Sequence, residues 1–290
     1  MSTNVLWVMG KSLEISNIDK EFWPEKGYKK GDMLKYYSQI YQWIIPHIED
    51  RPIVMKRYPD GIYGKIFYQK RCPDYAPQWL EKAELSGSDG NDKRLKYCLC
   101  NDLASLLWLA NLGCIEIHTW LSKVQKPQFP DIMVFDLDPA PGVPFEQVLE
   151  ISLYAKKYLN ELGLSGYPKT SGALGMHIYV PILNKYSFEE VRKVAYLISK
   201  MILRSCPHSA TLERRKVLRT GRVYIDYLQN GYGKSMASVY SLRALPEATV
   251  STPLSWEEIE NKDISPKSFT LENIHQRLLT HGDIFFPVLQ

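Results

Sequence analysis

The run Ile132-Met133-Val134-Phe135-Asp136-Leu137-Asp138-Pro139 places the tightest constraint on what this chain can fold into. Its apolar head predicts a buried strand. Side chains alternate along a strand, so Asp136 and Asp138 share one face while Leu137 points into a core. Two neighbouring carboxylates repel each other, and burying them unpaired is costly. The usual remedy is a divalent cation with oxygen ligands, Mg²⁺ or Mn²⁺. Pro139 and Pro141-Gly142 stop the strand and leave the carboxylates near its open end. Taken alone, the pattern also fits an acidic pair facing a turn, so the rest of the chain has to decide.

A second motif reads Thr170-Ser171-Gly172-Ala173-Leu174-Gly175-Met176-His177 and runs into the strand-like Ile178-Tyr179-Val180-Pro181. Two glycines in a short turn let backbone N–H groups approach an anion. Ser171 and His177 flank that turn and add side-chain donors. A third motif, Val223-Tyr224-Ile225-Asp226-Tyr227-Leu228, sets a lone carboxylate among apolar and aromatic residues. Downstream, Ser238-Val239-Tyr240-Ser241-Leu242-Arg243 predicts a strand with a basic residue near its end.

Asp-x-Asp, then Ser-Gly-x-x-Gly-x-His, then a strand-borne Asp resembles the three motifs of the archaeo-eukaryotic primase superfamily. Within it, the chain more closely resembles the polymerase domain of bacterial DNA ligase D and its stand-alone relatives in end joining. The resemblance runs nearly end to end. It takes in Arg51-Pro52-Ile53, Arg57-Tyr58-Pro59-Asp60-Gly61, Phe67-Tyr68-Gln69-Lys70, the segments 101–111 and 113–120, Pro130-Asp131, and 249–256.

The resemblance implies roles for particular residues. Asp136, Asp138 and Asp226 would hold two divalent ions, about 3.5–4 Å apart in such sites. Ser171, His177 and Arg243 match triphosphate ligands, with the planar guanidinium suited to bidentate phosphate contact. His118 matches a histidine beside the nucleotide, and Lys56 a basic residue near it. Phe67 and Tyr68 match aromatics stacked on the incoming base or template. Because neighbouring strand residues face opposite sides, one of the two is expected in the core. Asn17, Lys20 and Lys30 match a pocket for the 5′-phosphate of a downstream DNA strand. One departure is Leu174, which stands where family members often carry lysine.

Charge distribution adds to this. The chain carries 36 basic and 32 acidic residues, a net charge of +4. The segment Glu213–Arg222 alone has five basic residues and one acid. A solvated loop would have this composition too, but the segment directly precedes the strand bearing Asp226, where a basic loop suits a phosphate backbone. Arg214, Arg215, Lys216 and Arg219 are therefore candidates for contact with the template or primer.

No low-complexity linker, repeat or charge block divides the 290 residues, so one catalytic domain spanning 1–290 is expected. The elements read as α+β with mostly antiparallel sheets. Helices are predicted over Asp32–Ile45, Asp102–Leu112, Pro144–Leu162 and, from the capping box Ser187-Phe188-Glu189-Glu190, to about Arg204. Strands are predicted over Ile53–Tyr58, Lys65–Gln69, Ile115–Thr119, Met133–Asp138, His177–Pro181, Val223–Leu228 and Ala237–Leu242. The superfamily implies an RNA-recognition-motif-like catalytic lobe packed on an N-terminal α/β lobe. No apolar run approaches the ~18 residues of a membrane span. No secretory signal is evident. The five scattered cysteines read as reduced, buried thiols, so a cytoplasmic protein is expected; the family resemblance implies a nucleoid-associated protein of a prokaryote.

The function so implied is a DNA-dependent nucleotidyltransferase that extends primers to fill gaps in end joining, favouring NTPs over dNTPs. A Ku-type end-binding protein, a separate ATP-dependent ligase and an end-processing nuclease or phosphoesterase are the partners the family context implies. The competing readings are a de novo primase, a DNA-end-binding scaffold with incidental catalysis, and a metal-dependent nuclease, which would not need the Ser171/His177/Arg243 set.

Overall fold

The computed structural model describes residues 3–86 and 94–290. A hairpin of β1 (Thr3–Val8) and β2 (Lys11–Ser16) comes first, then short strands β3 (Glu21–Trp23) and β4 (Tyr28–Lys29) and helix α1 (Lys30–Ile48). Strands β5 (Ile53–Arg57), β6 (Phe67–Gln69), β7 (Lys82–Ser86) and β8 (Arg94–Cys98) precede α2 (Leu103–Asn111) and β9 (Cys114–Trp120). The second half carries β10 (Ile132–Pro139), α3 (Phe145–Glu161), β11 (Tyr167–Thr170), β12 (Met176–Pro181), α4 (Phe188–Ser205), β13 (Ala210–Thr211), β14 (Val223–Asp226) and β15 (Ser235–Ala237). Two helices, α5 (Trp256–Asn261) and α6 (Ile274–His281), follow.

Two sheets organise these elements. One has the order β11-β12-β10-β14-β13; the other runs β15-β9-β5-β8-β7, with β6 also paired to β5. The pairings in both are antiparallel except β13 with β14. The mixed α+β class with antiparallel sheets is what the sequence predicts.

The helices start where local chemistry directs. Asp102 accepts from the Ser105 amide and Ser105 bonds back, capping α2. Ser187 and Glu190 form the capping box of α4. Gly163, at φ 70°, follows the end of α3 in the left-handed conformation common after helix C-termini.

The cores follow the sheets. Met133, Phe135 and Leu137 of β10 bury against α3 and α4 through Val148, Ile151, Ala195 and Ile198. Alternate residues Ile132 and Val134 join the other core, with Ile40 and Ile44 of α1 and Ile115 and Ile117 of β9. Strand β10 is therefore covered on both faces, which explains its continuous apolar head. A buried Arg51 joins the start of β5 to the start of β10 by two 2.7 Å bonds to the Asp131 carboxylate.

Three expectations are corrected. The strand after Val223 ends at Asp226, whose carboxylate accepts from the Leu228 amide and caps a 3₁₀ turn over Tyr227–Gln229. There the buried Asn230 side chain takes over pairing with β10, bonding both the N–H and C=O of Val134. Of the strand predicted over Ala237–Leu242, only Ala237 is in a strand, as the last residue of β15; the chain leaves the sheet there and turns further at Tyr240, φ 62°. Cys72 and Cys98 form a disulfide rather than staying reduced; Cys100, Cys114 and Cys206 are free and buried. The Cys72 amide donates to Lys96 O at 2.6 Å, bringing a loop against β8 that the linear spacing does not reveal. No helix among the described residues is long and apolar enough to cross a membrane.

Candidate active site

Antiparallel pairing of β10 and β14 sets Asp136 directly opposite Asp226 and Asp138 opposite Tyr224. Asp138 shares a strand face with Asp136, so one carboxylate oxygen from each of the three aspartates falls within 4.8 Å of the others. Asp136 is buried, Asp226 half-buried and Asp138 exposed at the strand end. Asp226 is braced by Tyr224 Oη at 3.1 Å, the Leu228 amide at 3.0 Å and Gln229 Nε2 at 3.3 Å. Burial, with Asp138 and Asp226 nearby, pushes the Asp136 carboxyl well above its ordinary range. Burial and Asp226 push Asp138 upward too, against the opposing pull of Arg219 and Lys216. Three converging, all-oxygen, mutually repelling ligands fit a hard divalent cation.

The same row continues across the sheet. Asp136 pairs in register with His177 on β12, and His177 with Lys169 on β11. His177 Nε2 lies 3.4 Å from Asp136 Oδ1, and its Nδ1 lies 2.8 Å from Lys169 Nζ. The loop between β11 and β12 approaches other backbone closely. A Cβ on Gly175 would meet Leu137 O at 2.1 Å; Gly172 adopts φ 70°, and a Cβ there would meet Ser251 N at 2.9 Å. The amides of Ala173 and Gly175 do not face the cleft as free anion donors. Each donates to Ser171 Oγ at 3.1 Å. The Ser171 hydroxyl, its lone pairs so occupied, keeps its proton to donate elsewhere.

The facing sheet contributes His118 from β9. Two residues earlier on the same face, the buried Glu116 gathers Lys56 Nζ at 2.9 Å, Tyr58 Oη at 3.1 Å and His118 Nε2 at 3.1 Å. Arg243 Nε lies 3.2 Å from Glu116 outside hydrogen-bond geometry, and the same guanidinium donates to Ser171 O. Burial opposes the Glu116 charge, but His118, Arg243 and Lys56 outweigh it and hold its carboxyl below the usual range. Lys56 is thus tied to Glu116 and does not line the cleft. Burial lowers the His118 pKa, with Arg243 and Lys56 adding to it and Glu116 opposing.

Phe67 and Tyr68 are both exposed, at 41% and 55%, which corrects the expectation that one enters the core. Strand β6 pairs only with β5, at the margin of its sheet, and both aromatic side chains stay exposed there. Tyr68 leans toward the site, bonding Ser235 Oγ at 3.1 Å, its ring edge-on to His118.

In the basic segment, Lys216 and Arg219 line the cleft, whereas Arg214 and Arg215 do not. Arg219 stacks 3.6 Å over the Tyr224 ring and donates to the carbonyls of Glu213 and Arg214, so it shapes the loop from within. Arg215 lies 3.5 Å from Glu213.

At the N-terminal end, Asn17, Lys20 and Lys30 are drawn together by backbone bonds from Lys20 N to Asn17 O and from Lys30 N to Lys20 O. Asn17 sits at φ 54°, a conformation asparagine tolerates. Lys20 is ion-paired with Asp60. Lys30 is buried and donates to Ser16 O at 2.6 Å and Asn111 Oδ1 at 2.7 Å; burial beside Lys20 lowers its pKa to about 8.

Two residues escaped the sequence reading. Glu116 and Lys169 stand two positions before His118 and Ser171, and each is a charged residue in an otherwise buried strand, which was the available signal. The cleft encloses about 720 Å³ and is lined from both sheets by His118, Asp136, Asp138, Ser171, His177 and Arg243 among others.

Three cation-seeking carboxylates facing imidazole, hydroxyl and guanidinium groups across one open cleft make this a nucleotidyltransferase type of site. A family model described as the LigD primase-polymerase domain matches residues 29–285, and the chain belongs to that family. The multifunctional non-homologous end joining protein LigD of Mycolicibacterium smegmatis is 31% identical over 278 residues, covering 95% of this chain and 36% of that protein. The bifunctional LigD of Bacillus subtilis is 30% identical over 275 residues, covering 94% and 44%. The chain thus spans less than half the length of these relatives. The polymerase domain of Mycobacterium tuberculosis ligase D, solved in complex with DNA, superposes with a TM-score of 0.89 at 27% identity, covering 96% of this chain and 98% of that one.

Proposed function

We propose that this chain is a template-directed nucleotidyltransferase that extends a primer to fill gaps at DNA breaks, and that residues 1–290 act as one catalytic unit. The observation that carries it is a cleft lined by Asp136, Asp138, Ser171, His177 and Arg243, with a carboxylate oxygen of Asp226 within 4.8 Å of those of the other two aspartates. The relatives that share this fold are end-joining proteins, and one is solved on DNA.

Asp136, Asp138 and Asp226 would hold two divalent ions, Mn²⁺ or Mg²⁺. Such ions, when bound, supply charge neutralisation at the attacking and leaving oxygens. The reaction is attack of the primer 3′-hydroxyl oxygen on the α-phosphorus. One phosphodiester bond forms, the α–β anhydride bond breaks, pyrophosphate leaves and the hydroxyl proton passes to solvent. The chain's own contribution is positioning and electrostatics. Ser171 and His177 offer donors to the triphosphate, and Arg243, oriented by Glu116, adds positive charge. His118, with Tyr68 at its edge, would border the nucleotide, and Lys56 would act through Glu116. Phe67 remains a candidate stacking platform for the template. Arg214, Arg215, Lys216 and Arg219 would follow a DNA backbone. Asn17, Lys20 and Lys30 would receive the downstream 5′-phosphate.

Family resemblance supports NTP preference and work beside a Ku-type protein, a separate ATP-dependent ligase and an end-processing nuclease or phosphoesterase. It also supports a cytoplasmic, nucleoid-associated setting. Primer extension on a gapped duplex, with NTPs and dNTPs compared and with Mn²⁺ or chelator, tests the reading. Asp136→Ala should abolish extension and leave DNA binding intact; full extension by that variant overturns it. Dinucleotide synthesis without a primer would favour a de novo primase.

A further inference from the structure

We propose that Lys169 is a positioning residue that keeps the ring proton of His177 on Nε2, so that the imidazole presents a donor to an anionic group in the cleft. This rests on reading the cleft as a nucleotide site. Lysine is almost never wholly buried unless it is paired, yet Lys169 has no exposed surface. Its Nζ has three polar neighbours: His177 Nδ1 at 2.8 Å, Ala237 O at 3.0 Å and Ser251 Oγ at 2.5 Å.

The direction of each bond follows from what the groups can do. Ala237 O only accepts. Ser251 Oγ gives its own proton to Thr170 O at 2.8 Å, so it accepts from Lys169. An ammonium carries three protons and no acceptor, and the third points at His177 Nδ1. An imidazolium would offer no lone pair there. A neutral ring that accepts at Nδ1 carries its proton on Nε2. That nitrogen is the one nearer the carboxylates, 3.4 Å from Asp136 Oδ1. Sheet register builds the relay, because Lys169, His177 and Asp136 are successive cross-strand partners on β11, β12 and β10.

The tautomer has a consequence. With Nε2–H, His177 donates to a phosphate oxygen. With a bare Nε2, it would repel that oxygen. Burial, with Arg243 nearby, holds the Lys169 ammonium well below the usual lysine range, against the opposing pull of Asp136, so the three acceptors around Nζ are what argue for the charged form. A neutral amine would instead accept from Nδ1–H and give the opposite tautomer, which is the overturning result.

The first measurement is long-range ¹H–¹⁵N correlation on the metal-free full chain labelled at histidine. With six histidines, the His177 ring is assigned by its loss in His177→Gln. The proton is expected on Nε2; a proton on Nδ1 refutes the proposal. The second is a double-mutant cycle in primer extension. Lys169→Met should raise KM for the nucleotide about tenfold, the scale of one charge-assisted hydrogen bond, with a smaller change in kcat. In the His177→Gln background the same change should cost less than about twofold, since the path through His177 is already gone. An equal penalty in both backgrounds means a purely structural lysine and overturns the assignment. Should Lys169→Met fail to fold, the wild-type tautomer decides alone. If the chain extends no primer, the tautomer still reports on Lys169, so failure of the polymerase reading is seen separately.

Discussion

Asp136 and Asp226 are direct cross-strand partners on β10 and β14, two acidic residues held face to face by sheet register. Like charges so placed are destabilising in an antiparallel pair. Asp138, one alternate position along β10, adds a third. The surrounding strands are anchored by two buried cores and cannot slide to relieve the repulsion without turning every side chain to the wrong face. A bound cation is what the geometry calls for.

That cost should appear as a pH dependence of stability without metal. Unfolded aspartates ionise near pH ~4. In the fold, Asp136 and Asp138 keep their protons to higher pH, Asp136 chiefly through burial and its acidic neighbours. The folded state then binds more protons than the unfolded one, so their contribution is lost as pH rises from about 4 through the raised values. Asp136→Asn should therefore melt higher than wild type in chelator, by a margin that widens with pH. Mn²⁺ should close that margin by stabilising only wild type. Thermal melts across that range check it, and a margin that shrinks with rising pH would contradict it.

The Arg51–Asp131 pair ties the start of β5 to the start of β10. Arg51 is buried but the Asp131 side chain is 26% exposed, so removing Arg51 strands a partly solvated carboxylate, at a cost of roughly 1–3 kcal/mol. Arg51→Met should lower the unfolding free energy by that order, and adding Asp131→Leu should recover much of it. If Arg51→Met is neutral in chemical denaturation, the pair does not brace the sheets.

The basic loop should carry phosphate contacts. Counterion release gives a slope of log K against log salt near 0.9 per phosphate on duplex DNA. Replacing Arg214, Arg215 and Lys216 by Ala should flatten that slope, with Arg219 left in place because it holds the loop on Tyr224. An unchanged slope would make the segment an ordinary solvated loop.

End recognition should divide between the two lysines. A terminal phosphate carries up to about two negative charges, more than an internal diester. Lys20 is held by Asp60, whereas Lys30 is fixed inward by Ser16 and Asn111. Lys20→Ala should erase the preference for 5′-phosphate over 5′-hydroxyl ends, and Asp60→Asn should sharpen it. Lys30→Ala should also cost about 1–3 kcal/mol, from the acceptors it strands. Binding titrations at fixed salt, paired with melts, separate these effects; equal wild-type affinity for both ends would remove the pocket.

Much of the site was legible because it is written in short-range rules. Alternation along β10 is enough to put Asp136 and Asp138 together and Leu137 in the core. The Ser187–Glu190 box and the Asp102 cap mark helix starts within one turn of chain. What escaped depends on contacts between distant segments. Nothing near Phe67 and Tyr68 reveals that β6 lies at the margin of its sheet with both side chains exposed, so the rule of alternate burial failed there. Nothing near Leu228 reveals that Asn230 will replace a strand with its own amide. Cys72 and Cys98 meet only because loop and strand are packed together.

The sequence by itself determined the chemistry available: three aspartates, the glycine-containing turn with Ser171 and His177, the basic segment before Asp226, and the α+β pattern that carries them. Tertiary structure alone decided which of these groups touch. Pairing of β11, β12, β10 and β14 aligned Lys169, His177, Asp136 and Asp226 in one row. Apposition of the second sheet brought Glu116 and His118 across from it, joined through Arg243. The reason is physical. Side-chain direction is local, set by backbone geometry every two residues, whereas register and the meeting of sheets are set by burying two cores at once.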